Sequence, residues 1–272
     1  MINLNKLFFE EIKEKFADAI SEKDLYQYPF SDIYNLSEAE DEEVSLYLDN
    51  ALEAGNKVLE LCCGNGRLTI PFAKYGFDIT GIDMSDDMLM ILQQKREQLS
   101  LRVSKRIRVI KGNIFKLDIN EKYDFVFLPA TTLSILFDDK KRVLELFNSV
   151  AEILNDNGSF VFDIRIYDDY VDKEIIPIVH NNIINFSYEF IDKKINAAIG
   201  KFIAIEKTPT GQLHMYVAES NKKIINMEDI ETLIRNTSFL IYKTEYFFND
   251  GEKMLLVVLK RKEENNNGND NI

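Results

Sequence analysis

The chain is 272 residues long, 46% hydrophobic, and carries a formal net charge of −13. A surplus of acid on that scale argues against a nucleic-acid partner, since binding of that kind rests on neutralising phosphates. No apolar run reaches the roughly 18 residues of a membrane span, and Met1-Ile2-Asn3-Leu4-Asn5-Lys6 lacks an export-signal pattern, so a soluble cytoplasmic protein is expected.

Leu4, Leu7, Phe8, Ile12 and Phe16 recur at helical spacing and predict an amphipathic N-terminal helix. A tyrosine-rich loop with Tyr26, Tyr28, Pro29, Phe30 and Tyr34 follows. Ser37 and Glu40 have the spacing of a capping box, ahead of a helix with Val44, Tyr47, Leu48 and Ala51 on one face. The first core strand is expected at 57–61, a helix from 67 to Gly76, and a second strand at 78–82. Ser85 is placed to cap the helix carrying Met88, Leu89, Ile91 and Leu92. Strands at 107–110, 125–128 and 160–164 continue the alternation, with a helix from Asp138 or Asp139 closing near Gly158. The basic residues Lys95 to Lys111 read as a solvated helix face leading into an edge strand. Five strands alternating with helices predict a parallel, doubly wound α/β sheet with right-handed crossovers.

Beyond residue 170 the rhythm changes. Strands near 184–190, 196–206 and 212–219, with a turn at Thr208-Pro209-Thr210-Gly211, predict an antiparallel insertion. A helix at 227–236 and a hairpin about Asn249-Asp250-Gly251 complete the fold. The expected organisation is a helical cap at 1–50, a core at 51–168 and 224–262, a β insertion acting as substrate lid at 169–223, and a disordered tail at 263–272.

The strongest motif is Val58-Leu59-Glu60-Leu61-Cys62-Cys63-Gly64-Asn65-Gly66-Arg67, followed by Gly81-Ile82-Asp83. A buried strand runs into a glycine turn and a helix start, whose free N–H groups suit an anionic group. Asp83 stands at the end of the next strand, close to the roughly 20-residue offset at which an acid accepts bonds from ribose hydroxyls. A dinucleotide fingerprint would place a small residue at 69; Thr69 is β-branched instead. Cys62 and Cys63 are adjacent, a spacing poorly suited to a disulfide, and with only His180 and His214 to join them no metal site is expected.

With Glu60, Gly64, Gly66 and Asp83 in this order, residues 44–260 resemble the class I S-adenosylmethionine-dependent methyltransferases. The chain departs from their pattern at Cys62, where glycine is common. The resemblance implies a seven-stranded Rossmann-like sheet whose seventh strand is antiparallel, and S-adenosylmethionine as cofactor. It also implies site residues. Asp83 would meet the ribose. Met84 would pack on the adenine, as would Met88 unless it belongs to the core. Asn113 would face the adenine amino group, where the family commonly has an acid, and Ile114 would cover the ring. Glu60 would orient the loop or meet the methionine ammonium. Arg67 would pair with the methionine carboxylate or stay solvated. Leu128, Pro129 and Leu133 would border cofactor and acceptor.

No Asn/Asp-Pro-Pro-Tyr type motif follows strand four, which again points away from nucleobases. The run Ala130-Thr131-Thr132-Leu133-Ser134 resembles small-molecule and peptide-tailoring members, including the daptide-type methyltransferases, and the cap and insertion resemble aminosugar and amine N-methyltransferases. Tyr28 and Tyr34 are candidates for closing over the cofactor and contacting the acceptor, or else for packing the cap. His214 is a candidate base, or else a surface histidine. The expected activity is methyl transfer to an amine of a small metabolite or peptide, by a monomer or homodimer. Transfer to a hydroxyl, a nucleotide-binding oxidoreductase and a non-catalytic partner subunit are the alternatives.

Overall fold

The computed structural model describes residues 4–167 and 175–262. The tail expected to be disordered, 263–272, and the core–insertion boundary at 168/169 lie outside the described residues.

Helix α1 (Leu4–Lys15) leads to the short strand β1 (Ile20–Glu22) and helix α2 (Phe30–Tyr34). Helix α3 (Asp41–Ala54) precedes β2 (Lys57–Leu61), α4 (Thr69–Tyr75), β3 (Asp78–Asp83), α5 (Asp86–Glu97), α6 (Leu101–Ser104), β4 (Ile107–Lys111) and β5 (Tyr123–Leu128). Helices α7 (Thr132–Leu136) and α8 (Lys140–Ile153) follow, then β6 (Leu154–Arg165). The inserted strands are β7 (Ile176–His180), β8 (Ile183–Asp192), β9 (Ala197–Lys207) and β10 (Leu213–Lys223). Helix α9 (Met227–Arg235) and the hairpin β11 (Phe239–Asn249) and β12 (Glu252–Arg261) end the described chain.

Seven strands form the main sheet in the order β11-β12-β6-β5-β2-β3-β4. Strands β2 to β6 pair in parallel, and β12 runs antiparallel to both of its neighbours. The central strands are continuous apolar runs because helices cover both faces. One face packs Leu59, Leu61, Val126, Phe160 and Phe162 beneath α8 and α9. The other packs Val58, Phe125, Phe127 and Val161 beneath α3 and α4. Strand β4 is an edge, and its basic residues are spent on surface pairs, Arg108 with Glu121 and Lys111 with Asp86.

The second sheet has the order β1-β10-β9-β8-β7. Strand β1 comes from the N-terminal segment and pairs in parallel with β10, and Phe9 of α1 joins Tyr188, Phe190 and Ile203 in the sheet's own core. Neither β1 nor β7 is legible in the sequence: β1 has three residues, and its partner lies nearly 200 positions away.

Two terminal expectations need correction. The Ser37/Glu40 capping box does not form; Glu40 is itself the N-cap of α3, with no side-chain cap bond. Its carboxylate instead accepts the Asp250 N–H at the tip of the last hairpin, 2.8 Å away. Helix α8 ends at Ile153 rather than near Gly158, because Leu154 already starts β6.

Candidate functional site

The site is built on the turn between β2 and α4. Cys62, Gly64 and Gly66 all take positive φ, at 58°, 51° and 77°. Cys62 thus adopts the left-handed conformation that glycine reaches freely and other residues reach at a cost of roughly 1–2 kcal/mol. Cys63 is buried and packs so closely on β3 that a Cβ on Gly81 would lie 2.8 Å from its sulfur. Cys62→Gly is expected to leave the fold intact and shift stability by no more than about 1 kcal/mol, relief of the left-handed cysteine being offset by a freer unfolded chain. A Cys62→Val variant should be clearly less stable than either; equal melting temperatures for the valine and glycine variants would refute this.

Asp83 ends β3 and holds the turn. Its Oδ2 accepts the Gly64 N–H at 2.9 Å and its Oδ1 accepts the Ser85 N–H at 2.8 Å. Each oxygen keeps a further lone pair for a ligand. Glu60 is 2% exposed and accepts a hydrogen bond from the Thr69 hydroxyl. Burial pushes its carboxyl up to about 8. Thr69, the residue that breaks the dinucleotide pattern, is therefore the partner of the motif's acid.

Arg67 is not solvated. It forms a two-pronged ion pair with Glu43 of α3, with side chains 11% and 1% exposed and the Nη2–Oε1 distance 2.7 Å. The segment from Asp24 to Asn35 closes the site from above. The Tyr26 carbonyl accepts from the Ser85 hydroxyl at 2.7 Å, and Asn65 donates to the Asn35 side chain at 3.0 Å. The rings of Tyr26 and Tyr34 meet edge to face, 6.0 Å apart.

These groups enclose a cavity of about 550 Å³ outside the carboxyl ends of β2, β3 and β5. Tyr34, Glu60, Cys62, Gly64, Arg67, Asp83, Met84, Met88 and Pro129 line it. Other candidates do not. Gly66 sits behind the turn against Leu92. Ile114, Leu128 and Leu133 are buried in the core beneath α8. The Asn113 side chain caps a short turn by accepting the Phe115 N–H. Tyr28 points the other way, its hydroxyl donating to Glu206 of β9 at 2.6 Å. His214 is exposed on β10, with its ring 6.4 Å from that of Tyr216. Asn65, Thr132, Ile135 and Leu136, from the two segments expected around the crevice, also line the cavity, and sequence reasoning missed Asp24, Tyr26 and Gln27. The available signal was the local one, a tyrosine cluster. A smaller cavity of about 140 Å³ lies between α1 and the second sheet, away from these strand ends, and its Lys201 is paired with Glu10 and Glu219.

A nucleoside with an amino-acid tail fits these residues. The volume lies within the range of ligand pockets, Asp83 presents acceptors at the strand end, the glycine turn leaves the backbone open to close approach, and Glu60 is a buried carboxylate on the cavity wall. Residues 58–158 match the family model described as a methyltransferase domain. That stretch, from β2 to the start of β6, is a class I S-adenosylmethionine-dependent methyltransferase domain. The methyltransferase is 24% identical over 238 residues to YqeM of Bacillus subtilis, named a methyltransferase, across 82% of this chain and 90% of that one. Among solved structures, the CcbJ methyltransferase of Streptomyces caelestis superposes with a TM-score of 0.71 at 17% identity, covering 88% and 99% of the two chains. The glycopeptide N-methyltransferase MtfA, solved with S-adenosylhomocysteine, superposes with a TM-score of 0.63 at 16% identity, covering 93% and 97%.

The cofactor of the methyltransferase is S-adenosylmethionine, which supplies an electrophilic sulfonium methyl when bound. Asp83 would hold the ribose and the glycine turn would pass beneath it. Asp83→Ala removes an acceptor from the ligand and frees the backbone N–H groups of Gly64 in the turn and of Ser85 at the start of α5. It is expected to weaken cofactor binding by about 1–3 kcal/mol, and calorimetry showing unchanged affinity would remove Asp83 from the site. Among the described residues no cluster of metal-ligating side chains occurs, and no helix is long and apolar enough to cross a membrane.

Proposed function

We propose that the methyltransferase transfers its methyl group to an amine of a small metabolite or peptide. The supporting observation is the charge of the cavity. Asp24, Asp83 and Asp87 line it, beside Asp86, which pairs with Lys111, and the protonated Glu60, while the lining cation, Arg67, is already paired with Glu43. Carboxylates in a partly closed site draw in a cation and repel phosphate. An ammonium acceptor answers that field, and once it has lost its proton it needs no further base. That MtfA is a glycopeptide N-methyltransferase agrees with this reading. A soluble cytoplasmic enzyme of biosynthesis, working without nucleic-acid or membrane partners as a monomer or homodimer, completes the proposal.

The test is transfer of labelled methyl from S-adenosylmethionine to a panel of aminosugars, peptides with free N-termini, glycopeptides, hydroxyl analogues of each, and bulk RNA. Methylation confined to the amines supports the proposal. Label found on the hydroxyl analogues alone, or on RNA, would reject it. A heat of binding with NAD and none with S-adenosylmethionine would revive the oxidoreductase.

A further inference from the structure

The wall of the cavity after β5 is held in an unusual way. Ala130 and Thr131 are consecutive residues with positive φ, 60° and 55°, and neither is glycine. Such a pair costs a few kcal/mol and persists only where its surroundings impose it. Ala130 and Thr132 face the cavity on either side of Thr131, and Ile135 and Leu136 of α7 extend the same wall.

What imposes the turn is buried behind it. The Thr131 N–H donates to Asp163 Oδ2 at 2.7 Å. Asp163 is a lone carboxylate inside the apolar run of β6, 1% exposed. Its other oxygen accepts from the Tyr47 hydroxyl at 2.6 Å. Tyr47 stands one helical turn along α3 from Glu43, which pairs with Arg67 on the opposite wall. From the second sheet, Lys222 donates to the Thr131 hydroxyl at 3.0 Å. The residue that sets the wall is thereby tied to the core through its backbone and to the second sheet through its side chain. A buried carboxylate that receives, among the described residues, just these two donors has no evident value for stability alone, since a buried polar group in an apolar strand roughly breaks even at best.

We propose that Asp163 is a positioning residue for methyl transfer, acting through the Thr131 N–H to hold the Ala130–Thr132 wall where the acceptor must sit. It touches neither cofactor nor acceptor. The inference rests on methyl transfer by this site and not on the acceptor being an amine. Asp163→Asn keeps an oxygen for the Thr131 N–H. Asp163→Ala keeps none. The double variant Tyr47→Phe/Asp163→Leu replaces both partners of the Tyr47–Asp163 bond with apolar groups of similar shape, so the loss that remains is the freed Thr131 N–H.

The experiment measures hydrogen exchange of the 129–136 segment, affinity for S-adenosylhomocysteine, and kcat and KM with whichever acceptor of the panel above turns over fastest. In Asp163→Ala and in the double variant, exchange of 129–136 should quicken by about tenfold, the factor given by ~1.4 kcal/mol, while exchange in β2 and β3 is unchanged. Affinity for S-adenosylhomocysteine should stay within about twofold, and kcat/KM should fall by about tenfold or more through the acceptor. Asp163→Asn should recover most of the exchange protection and activity. Unchanged exchange at 129–136 in the double variant overturns the proposal, and so does a loss of cofactor affinity equal to the loss of kcat/KM. If no panel acceptor turns over, the amine reading fails, and the exchange and affinity measurements still decide the role of Asp163.

Discussion

Replacing Gly66 with alanine is expected to destabilise the protein by about 2–5 kcal/mol and to abolish measurable cofactor binding. Two costs add. The residue sits at φ 77°, where an alanine is strained. Its Cβ would also lie 2.2 Å from Leu92 Cδ1 and 3.3 Å from Leu92 Cγ. Leu92 is fully buried on α5, so it has no open space to swing into and the helix or the turn must shift instead. Shifting the turn moves the Gly64 N–H away from Asp83, which is why the cofactor is lost along with stability. The control is Gly76, at φ 104° with nothing within 4 Å of an added Cβ. Gly76→Ala carries only the conformational cost, about 1 kcal/mol. A Gly66→Ala/Leu92→Ala double variant should be more stable than the sum of its single changes predicts, by roughly 0.5–3 kcal/mol. Equal melting temperatures for Gly66→Ala and Gly76→Ala would show that the contact with Leu92 does not matter.

The features that govern that prediction were legible in the sequence because they are local. A continuously buried strand, two glycines, a carboxylate closing the next strand and Ser85 capping α5 are each set by neighbours within a few positions. The parallel sheet follows from the alternation of strands and helices, and the antiparallel insertion from the turn at 208–211. What escaped was set from far away. Tyr28 rather than Tyr26 was singled out, yet the direction of Tyr28 is fixed by Glu206, 178 residues along the chain. Strand β1 exists because β10 offers it an edge. Arg67 reads as a first-turn arginine until Glu43 of α3 is brought against it. Asn113 and Ile114 follow β4 as expected, but the amide caps its own turn and the isoleucine belongs to the core. Asp163 was hidden by its apolar neighbours, although a single carboxylate within Phe160-Val161-Phe162-Asp163-Ile164 was itself a signal.

The second large effect concerns Glu60, where stability and binding are expected to move in opposite directions. Its carboxyl is raised from 4.5 to about 8, first by burial and then by the charges of Asp83 and Glu43, while the Thr69 hydroxyl and Arg67 oppose the shift. A carboxyl raised on folding binds its proton more tightly in the folded chain than in the unfolded one. Its contribution is therefore fully present below the unfolded value and is lost as pH climbs through the folded value. The free enzyme should lose stability between about pH 4.5 and 8, on the order of a few kcal/mol. Glu60→Gln has no charge to bury and keeps a carbonyl oxygen for the Thr69 hydroxyl. It should match the wild type near pH 4.5, exceed it in melting temperature above pH 8, and show a flatter profile between. The same change removes the carboxylate that would meet the methionine ammonium. Affinity for S-adenosylmethionine should fall by about tenfold to a hundredfold, the scale of a charged hydrogen bond of ~1.5–3 kcal/mol. The two effects are linked by a proton. Near pH 7 the free enzyme holds Glu60 protonated, and an incoming ammonium favours its ionised form, so binding should release up to one proton. Calorimetry in buffers of different ionisation enthalpy should detect that proton in the wild type and not in Glu60→Gln. Parallel stability profiles for the two proteins would refute the assignment of the pH dependence to Glu60. Equal affinity and no difference in proton release would leave Glu60 with the Thr69 bond alone, as the residue that orients the turn rather than one that holds the cofactor.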